Sequence, residues 1–243
     1  KKDAIAAYVW EVGKTDKKLF ENAKDIVSNL KYPDVEMTKR LSPYLPQLRG
    51  TYETPDSYIM VLKKDPDMIL LRDVLNHQKG KIEPVHAAWM VSRLHNFGCY
   101  LQWAGLTHNA ISVDTCFISP KDHAIGLYGG WWYAAKEGDK LKALPPKTVA
   151  VTPPSILDNP KATARIDMAL IRATGREILG DATGMRLIGD KTIPKPFSQW
   201  VNGASSGDAN QDYKIWSSDV LIKSFGARRF VEMKLTPNDI YQP

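Results

Sequence analysis

The segment Thr107-His108-Asn109-Ala110-Ile111-Ser112-Val113-Asp114-Thr115-Cys116-Phe117-Ile118 decides how the rest of the chain is interpreted. Its last three residues, Cys116-Phe117-Ile118, are typical of a short buried strand. The residues before them are mostly polar and predict a loop that runs into that strand. The meaning of this loop depends on the elements that flank it.

A long amphipathic helix is predicted before the loop. Apolar residues recur at helical spacing, at Ala87, Met90, Leu94, Phe97 and Leu101. Pro84 suits the first turn of this helix, and Gly105 suits the residue after its end.

A β-hairpin and a second helix are predicted after the loop. Residues 119–123 have turn composition, and residues 124–128 are typical of a returning strand. Residues 165–180 then have the pattern of an amphipathic helix that ends at a glycine.

This order of elements resembles the protein-kinase-like superfamily. The kinase loop H-R-D-L-x-x-x-N uses its Asp as the base for the substrate hydroxyl and its Asn as a magnesium ligand. His108 and Ile111 fit that pattern, whereas Ala110 replaces the Asp and Thr115 replaces the Asn. Gly129 stands where the Asp of the D-F-G motif binds magnesium. The resemblance is therefore to the degenerate members of the superfamily, the pseudokinases.

Two later segments extend the resemblance. Residues 152–157 resemble the A-P-E motif, with Pro154 kept and Ser155 in place of the Glu. Asp167 matches the residue that braces the catalytic loop of kinases from the central C-lobe helix. The resemblance implies that His108 and Asp167 are structural, with Asp167 accepting backbone N–H groups that lower its pKa.

The resemblance covers roughly residues 55 to 180 and implies an α+β, two-lobed, protein-kinase-like fold. We expect a reduced N-lobe over residues 1–64 and a mainly helical C-lobe over residues 65–243. Tyr8–Val12 resembles the strand that carries the ATP-binding Lys, with Glu11 or a neighbour where that cation belongs. Residues 19–30 resemble the helix that offers the Lys a Glu partner, and Ala23 falls near that position. Only seven residues precede Tyr8, too few for the two strands and Gly-rich loop that cover the phosphates.

These replacements predict a module without catalytic activity. Removing one well-placed electrostatic group typically costs about a hundred- to a thousandfold in rate, and here the base and both metal ligands are replaced. We predict no cofactor, no metal and no ATP–magnesium binding, and a role as a protein-interaction scaffold or adaptor. Two alternatives stay open: a kinase-fold enzyme with altered group-transfer chemistry, and a basic nucleic-acid-associated module.

Several residues have more than one interpretation. Trp131 and Trp132 are candidates for anchoring a protein partner, because aromatic residues are enriched at interface hot spots, or for packing inside the cleft. Gly129 and Gly130 suit either a phosphate cradle or a tight turn. An acidic site built from residues 114, 122 and 123 competes with ordinary surface turns.

Composition sets the outer limits. The 243 residues carry 33 basic and 27 acidic side chains, and the net charge of +6 is spread over short basic pairs. This balance permits weak nucleic-acid contact without requiring it.

No apolar run is long enough to span a bilayer, so no membrane partner is expected. Cys99 and Cys116 fit neither a zinc site nor a disulfide framework, which favours a reducing, cytoplasmic location. Residues 136–160 and 204–210 are predicted to be loops.

Overall fold

A computed structural model describes residues 7–227 and 229–241 of the chain. Its helices and strands are mixed and its sheets are small and antiparallel, so the predicted α+β class is confirmed. The strands are β1 Ala7–Gly13, β2 Gln47–Glu53, β3 Ser57–Lys63, β4 Ile69–Leu70, β5 Leu106–Thr107, β6 Cys116–Ser119, β7 Ala124–Leu127 and β8 Ala135–Lys136. The helices are α1 Lys17–Ser28, α2 Val35–Leu41, α3 Leu71–His77, α4 Pro84–Trp103, α5 Pro146–Val151, α6 Pro154–Leu157, α7 Ala164–Ile178, α8 Lys195–Asn202, α9 Ala209–Ile215, α10 Leu221–Phe225 and α11 Pro237–Ile240.

The first sheet has the order β1-β3-β2. β1 pairs with β3 from Ala7 opposite Lys63 to Gly13 opposite Ser57. Helix α1 packs on this sheet through its buried residues Phe20, Ala23 and Val27. The predicted strand at 8–12 and helix at 19–30 are therefore present, with slightly different ends.

Sequence analysis gave no element between residues 31 and 56, although two lie there. Asp34 caps α2 by accepting a hydrogen bond from the Met37 backbone N–H at 2.7 Å. Strand β2 is an edge strand whose register with β3 shifts between Leu48 and Gly50. Edge strands of this kind bury little apolar surface, so their sequence carries a weak alternating pattern.

Helix α4 lies at the centre of the helical part and packs against α7 and α9. It begins at Pro84 and is followed by Gly105 with φ +66°, as the sequence predicted. At Gly98 a Cβ atom would lie 2.4 Å from Met168 Cε, so a larger residue there would require the end of the Met168 side chain to move. None of the helices among residues 7–227 and 229–241 is both long and apolar enough to cross a bilayer.

The hairpin β6–β7 is present as predicted, whereas the loop predicted over 136–160 is not correct. That stretch contains the end of β8 and the short helices α5 and α6. Both helices begin at a proline, Pro146 and Pro154. Proline suits the first helical position because its missing N–H would have no partner there. Residues that we interpreted as loop formers are therefore helix starts. Residues 204–208 are outside regular elements, and α9 begins at Ala209.

Candidate functional site

The loop after β5 rests on one carboxylate. Asp167, in the first turn of α7, accepts backbone hydrogen bonds from His108 and Asn109, both at 2.8 Å. Its side chain is almost completely buried. This is the contact that the resemblance required of Asp167.

The pKa of Asp167 differs from the prediction. We expected the two backbone bonds to lower it, but burial raises the pKa of Asp167 to about 7. The cost of removing the carboxylate from water outweighs the two bonds it accepts. Asp167 is therefore held in a low-dielectric site beneath the loop.

His108 is a buried structural residue. Its Nε2 atom lies 3.0 Å from the carbonyl oxygen of Gly129, and its ring meets the Trp131 ring edge-on at 5.0 Å. Burial lowers the pKa of His108 to about 3, so the imidazole is neutral at physiological pH. The ring joins the loop to the segment that follows β7.

Asn109 links the loop to two distant segments. Its Nδ2 donates to the carbonyl oxygen of Tyr133 at 3.0 Å and to Thr107 Oγ1 at 2.8 Å. Its own carbonyl accepts a hydrogen bond from Thr148 Oγ1 at 2.6 Å. The left-handed backbone of Asn109, with φ 61°, lets both contacts form at one residue. Sequence analysis missed this residue, because nothing local distinguishes it from another loop asparagine.

Ala110, Thr115 and Gly129, which we aligned with the kinase base and magnesium ligands, lie together and offer no carboxylate. Thr115 Oγ1 donates to the carbonyl of Ala110 at 2.7 Å, and the Gly129 backbone N–H donates to the carbonyl of Thr115 at 3.1 Å. Ala110 is buried. A methyl group, a hydroxyl that is already bonded and a glycine cannot act as a base or hold a magnesium ion.

The glycine pair serves close packing. Gly130 has φ +83°, and a Cβ there would lie 2.8 Å from His108 Cε1 and 3.0 Å from Ala110 Cβ. The N–H of Gly129 is already bonded to Thr115. The Gly129 N–H is therefore not available to bind a phosphate. The geometry of the glycine pair agrees with a tight turn.

Three aromatic side chains fill the space where β1 faces the hairpin β6–β7. We call Tyr8, Phe117 and Tyr128 the aromatic cluster. The Tyr8 and Phe117 rings meet edge-on at 5.6 Å, and the Phe117 and Tyr128 rings lie 5.5 Å apart. Tyr128 is fixed by a 2.6 Å hydrogen bond from its hydroxyl to the carbonyl of Pro43. The Tyr8 hydroxyl oxygen lies 3.1 Å from the position a Cβ would take at Gly129.

Glu11 is not the residue that faces this space. It is exposed, and its carboxylate accepts a hydrogen bond from Ser57 Oγ at 2.5 Å. Successive side chains of a strand point to opposite faces, so Tyr8 and Trp10 share the inner face of β1 and Glu11 points away. The alternating burial of residues 8–12 agrees with this arrangement.

Trp131 is unsuitable as a partner anchor, contrary to one of our two interpretations. Its side chain is only 1% exposed, and its Nε1 donates to the carbonyl of Leu127 at 2.8 Å. Trp132 is half-buried and stacks on Trp10, with ring centres 4.2 Å apart and planes 5° from parallel. Both tryptophans stabilise contacts within the chain.

The residues of the proposed acidic site have separate partners. Asp122 accepts a hydrogen bond from Ser119 Oγ at 2.9 Å within its own turn. Asp114 forms ion pairs with Arg72 and Lys147, both at 2.7 Å, and Glu177 joins the same network. The His123 ring is sandwiched between Trp89 and Phe230, at 4.7 and 4.1 Å. Over the part of the chain that the structure describes, no group of three or more His, Cys, Asp or Glu residues is placed to hold a metal ion.

No protein-family model and no curated protein sequence matches this chain.

Proposed function

We propose that the chain is a degenerate kinase-like module that has lost phosphoryl transfer and acts as a protein-interaction scaffold. In this proposal residues 1–64 belong to a reduced N-lobe and residues 65–243 to a mainly helical C-lobe. The observation that carries it is the aromatic cluster, which occupies the space between β1 and the hairpin where a kinase would hold its nucleotide.

The order of contacts supports the kinase-like arrangement. A kinase loop lies between a long helix and a β-hairpin, and α4, the loop and β6–β7 follow that order. Asp167 accepts its two bonds at the place where the corresponding kinase residue braces the loop. Strand β5, just before the loop, pairs with β8, just after the segment that replaces D-F-G.

The chemistry of the positions supports the loss of catalysis. The base and both magnesium ligands of a kinase correspond here to Ala110, Thr115 and Gly129. The tyrosine on β1 supplies no cation for phosphate. Losing one such group costs about two to three powers of ten in rate, and losses within one catalytic unit are not additive. Even the largest single loss leaves little phosphoryl transfer.

Nucleotide binding tests this proposal directly. A ligand that binds only the folded state at a hundred times its Kd stabilises it by about 2.7 kcal/mol. For a chain of this size that corresponds to a rise in Tm of about 5–10 °C. We expect millimolar ATP with magnesium to move the Tm of the intact chain by less than about 1 °C, and radiolabelled ATP to leave no phosphate or nucleotide on protein.

The variant Tyr8→Ala is the matched comparison. It opens the space next to Gly129 and leaves the loop unchanged, so it separates steric exclusion from the absence of metal ligands. A clear magnesium-dependent rise in Tm for the unmodified chain would overturn the proposal. Transfer of a group other than phosphate by that chain would make the altered-chemistry enzyme the better conclusion.

A further inference from the structure

A long groove follows the outer side of α4. A cavity of about 660 Å³ lies between α2, α4 and the β6–β7 turn. A second cavity, of about 380 Å³, continues from it towards α10 and residues 229–230. The two share Arg93, Asn96, His123 and Tyr213. We call this continuous surface the α4 groove.

The dimensions of the α4 groove suit an elongated ligand. Its lining residues on α4 extend from Val85 to Trp103, which corresponds to about 27 Å along a helix at about 1.5 Å per residue. An extended peptide of about eight residues has the same length.

The groove has an apolar, aromatic lining. Trp103 is 52% exposed and Phe230 is 66% exposed, which is unusual for side chains of this size. Between them lie the half-buried Phe225 and the buried Phe97 and Tyr100, which line the groove but expose little surface. Large apolar side chains left accessible at a concave surface are typical of protein-interaction sites.

The charges around this lining have one predominant sign. Lys39, Arg40, Arg93 and Arg229 line the groove, and Asp122 is the acidic residue among its lining side chains. Arg93 is held in place because its Nε donates to the carbonyl of His123 at 2.8 Å. Lys39 and Arg229 form no ion pair with any residue in the described ranges 7–227 and 229–241.

The ring faces distinguish a peptide from a nucleic acid. Bases bind single-strand sites by stacking on free aromatic faces. Here the Tyr100 ring stacks on Tyr32 at 5.8 Å, and His123 lies between Trp89 and Phe230. Much of the aromatic surface is already used within the chain, and what remains suits aliphatic and aromatic side chains of a peptide.

We infer that the α4 groove binds an acidic peptide segment, bearing apolar side chains, of a protein partner. This inference rests on the proposed scaffold function and names its docking surface. The apolar side chains of the peptide contact the accessible rings of Trp103 and Phe230, and its carboxylates pair with Lys39, Arg93 and Arg229.

The test uses the intact chain and a random peptide library of about 12 residues, somewhat longer than the groove. We expect the selected peptides to carry net negative charge and at least one large apolar residue. The most enriched peptide, labelled with fluorescein, is then titrated by anisotropy at physiological salt. Arg93→Glu and Lys39→Glu should each weaken it by about tenfold or more, because each replaces attraction by repulsion.

Lys24→Glu is the matched control, since it makes the same charge change at an exposed position of α1 that does not line the groove. It should alter the affinity by less than about threefold. Arg93→Glu also loses the bond to His123, so a thermal melt checks its folding. Lys39, exposed on α2 and without an ion pair among the described residues, supplies the second variant.

Four results would overturn the inference: no enriched peptide, enrichment of neutral or basic peptides, equal weakening by Lys24→Glu, or displacement of the peptide by single-stranded RNA at lower concentration. The last would assign the groove to nucleic acid. The nucleotide assay is independent of this one. If the chain binds both ATP–magnesium and the peptide, only the proposed loss of catalysis is wrong. If it binds neither ATP–magnesium nor a peptide, only the inference about the α4 groove is wrong.

Discussion

The two sides of the loop at residues 107–115 are built in opposite ways. On the side facing α7, a buried carboxylate pairs with the two backbone N–H groups of His108 and Asn109. On the side facing β1, the aromatic cluster fills the space with rings. The α7 side therefore holds the loop through its backbone N–H groups, whereas the β1 side is held by ring packing.

Substitutions on the side facing α7 should reduce the free energy of unfolding more than substitutions on the side facing β1. Asp167→Ala leaves two buried backbone N–H groups without an acceptor, and each costs about 1–3 kcal/mol. We therefore expect the free energy of unfolding at pH 7 to fall by about 2–6 kcal/mol, measured by urea denaturation. Asp219→Ala removes an exposed carboxylate paired with Lys223 and should change it by less than about 1 kcal/mol. Equal effects of the two variants would show that the Asp167 bonds contribute little to stability.

Substitutions in the aromatic cluster should reduce the free energy of unfolding by a smaller amount. Tyr8→Ala removes a half-buried ring and its edge contact with Phe117, with an expected loss of about 1–3 kcal/mol. Tyr8→Phe keeps the ring and should stay within about 0.5 kcal/mol of the parent. If Tyr8→Ala cost more than Asp167→Ala in the same urea series, the ranking of the two sides would be reversed.

The pH dependence of stability should separate the two sides further. Asp167 has a folded pKa of about 7 and an ordinary unfolded value, so the folded state binds the extra proton between about pH 4 and 7. The contribution of Asp167 to the free energy of unfolding therefore decreases as pH rises from about 4 to 7. His108, with a folded pKa of about 3, acts in the opposite direction and loses stability as pH falls below about 6.5.

Asp167→Asn removes only the first contribution. Its deficit in unfolding free energy relative to the parent should be larger at pH 5 than at pH 7, by about 2 kcal/mol. Burial raises the pKa of Tyr8 to about 12, far from this range, so Tyr8→Phe should follow the parent at both pH values. Urea denaturation at pH 5, 6 and 7 measures all three proteins. A deficit for Asp167→Asn that is the same at pH 5, 6 and 7 would mean that the Asp167 carboxylate of the parent is ionised at all three pH values.

Elements with strong local patterns were predictable from the sequence. The apolar stripe of α4, its start at Pro84 and the hairpin after the loop all appear where the pattern indicated. The resemblance led us to expect a contact between Asp167 and the loop backbone, and Asp167 accepts a hydrogen bond from each of His108 and Asn109.

What the sequence did not reveal depends on long-range packing. Burial decides the pKa of Asp167, and no local pattern reports how completely α7 is covered. Of the candidates Glu11 or a neighbour, it is Tyr8 and Trp10 that lie on the inner face of β1, and strand alternation indicates this arrangement. The α4 groove is formed by segments as distant as α2 and residues 229–230, so no single stretch of sequence indicates it.

The contacts of Asn109 also have a consequence for how the chain folds. They join it to residues 24, 39 and 58 positions away, at Tyr133, Thr148 and Asp167. Closing loops of this length costs chain entropy before any bond is gained. The Asn109 contacts are therefore among the later ones to form. Changes at this residue should speed unfolding while leaving the refolding rate nearly unchanged.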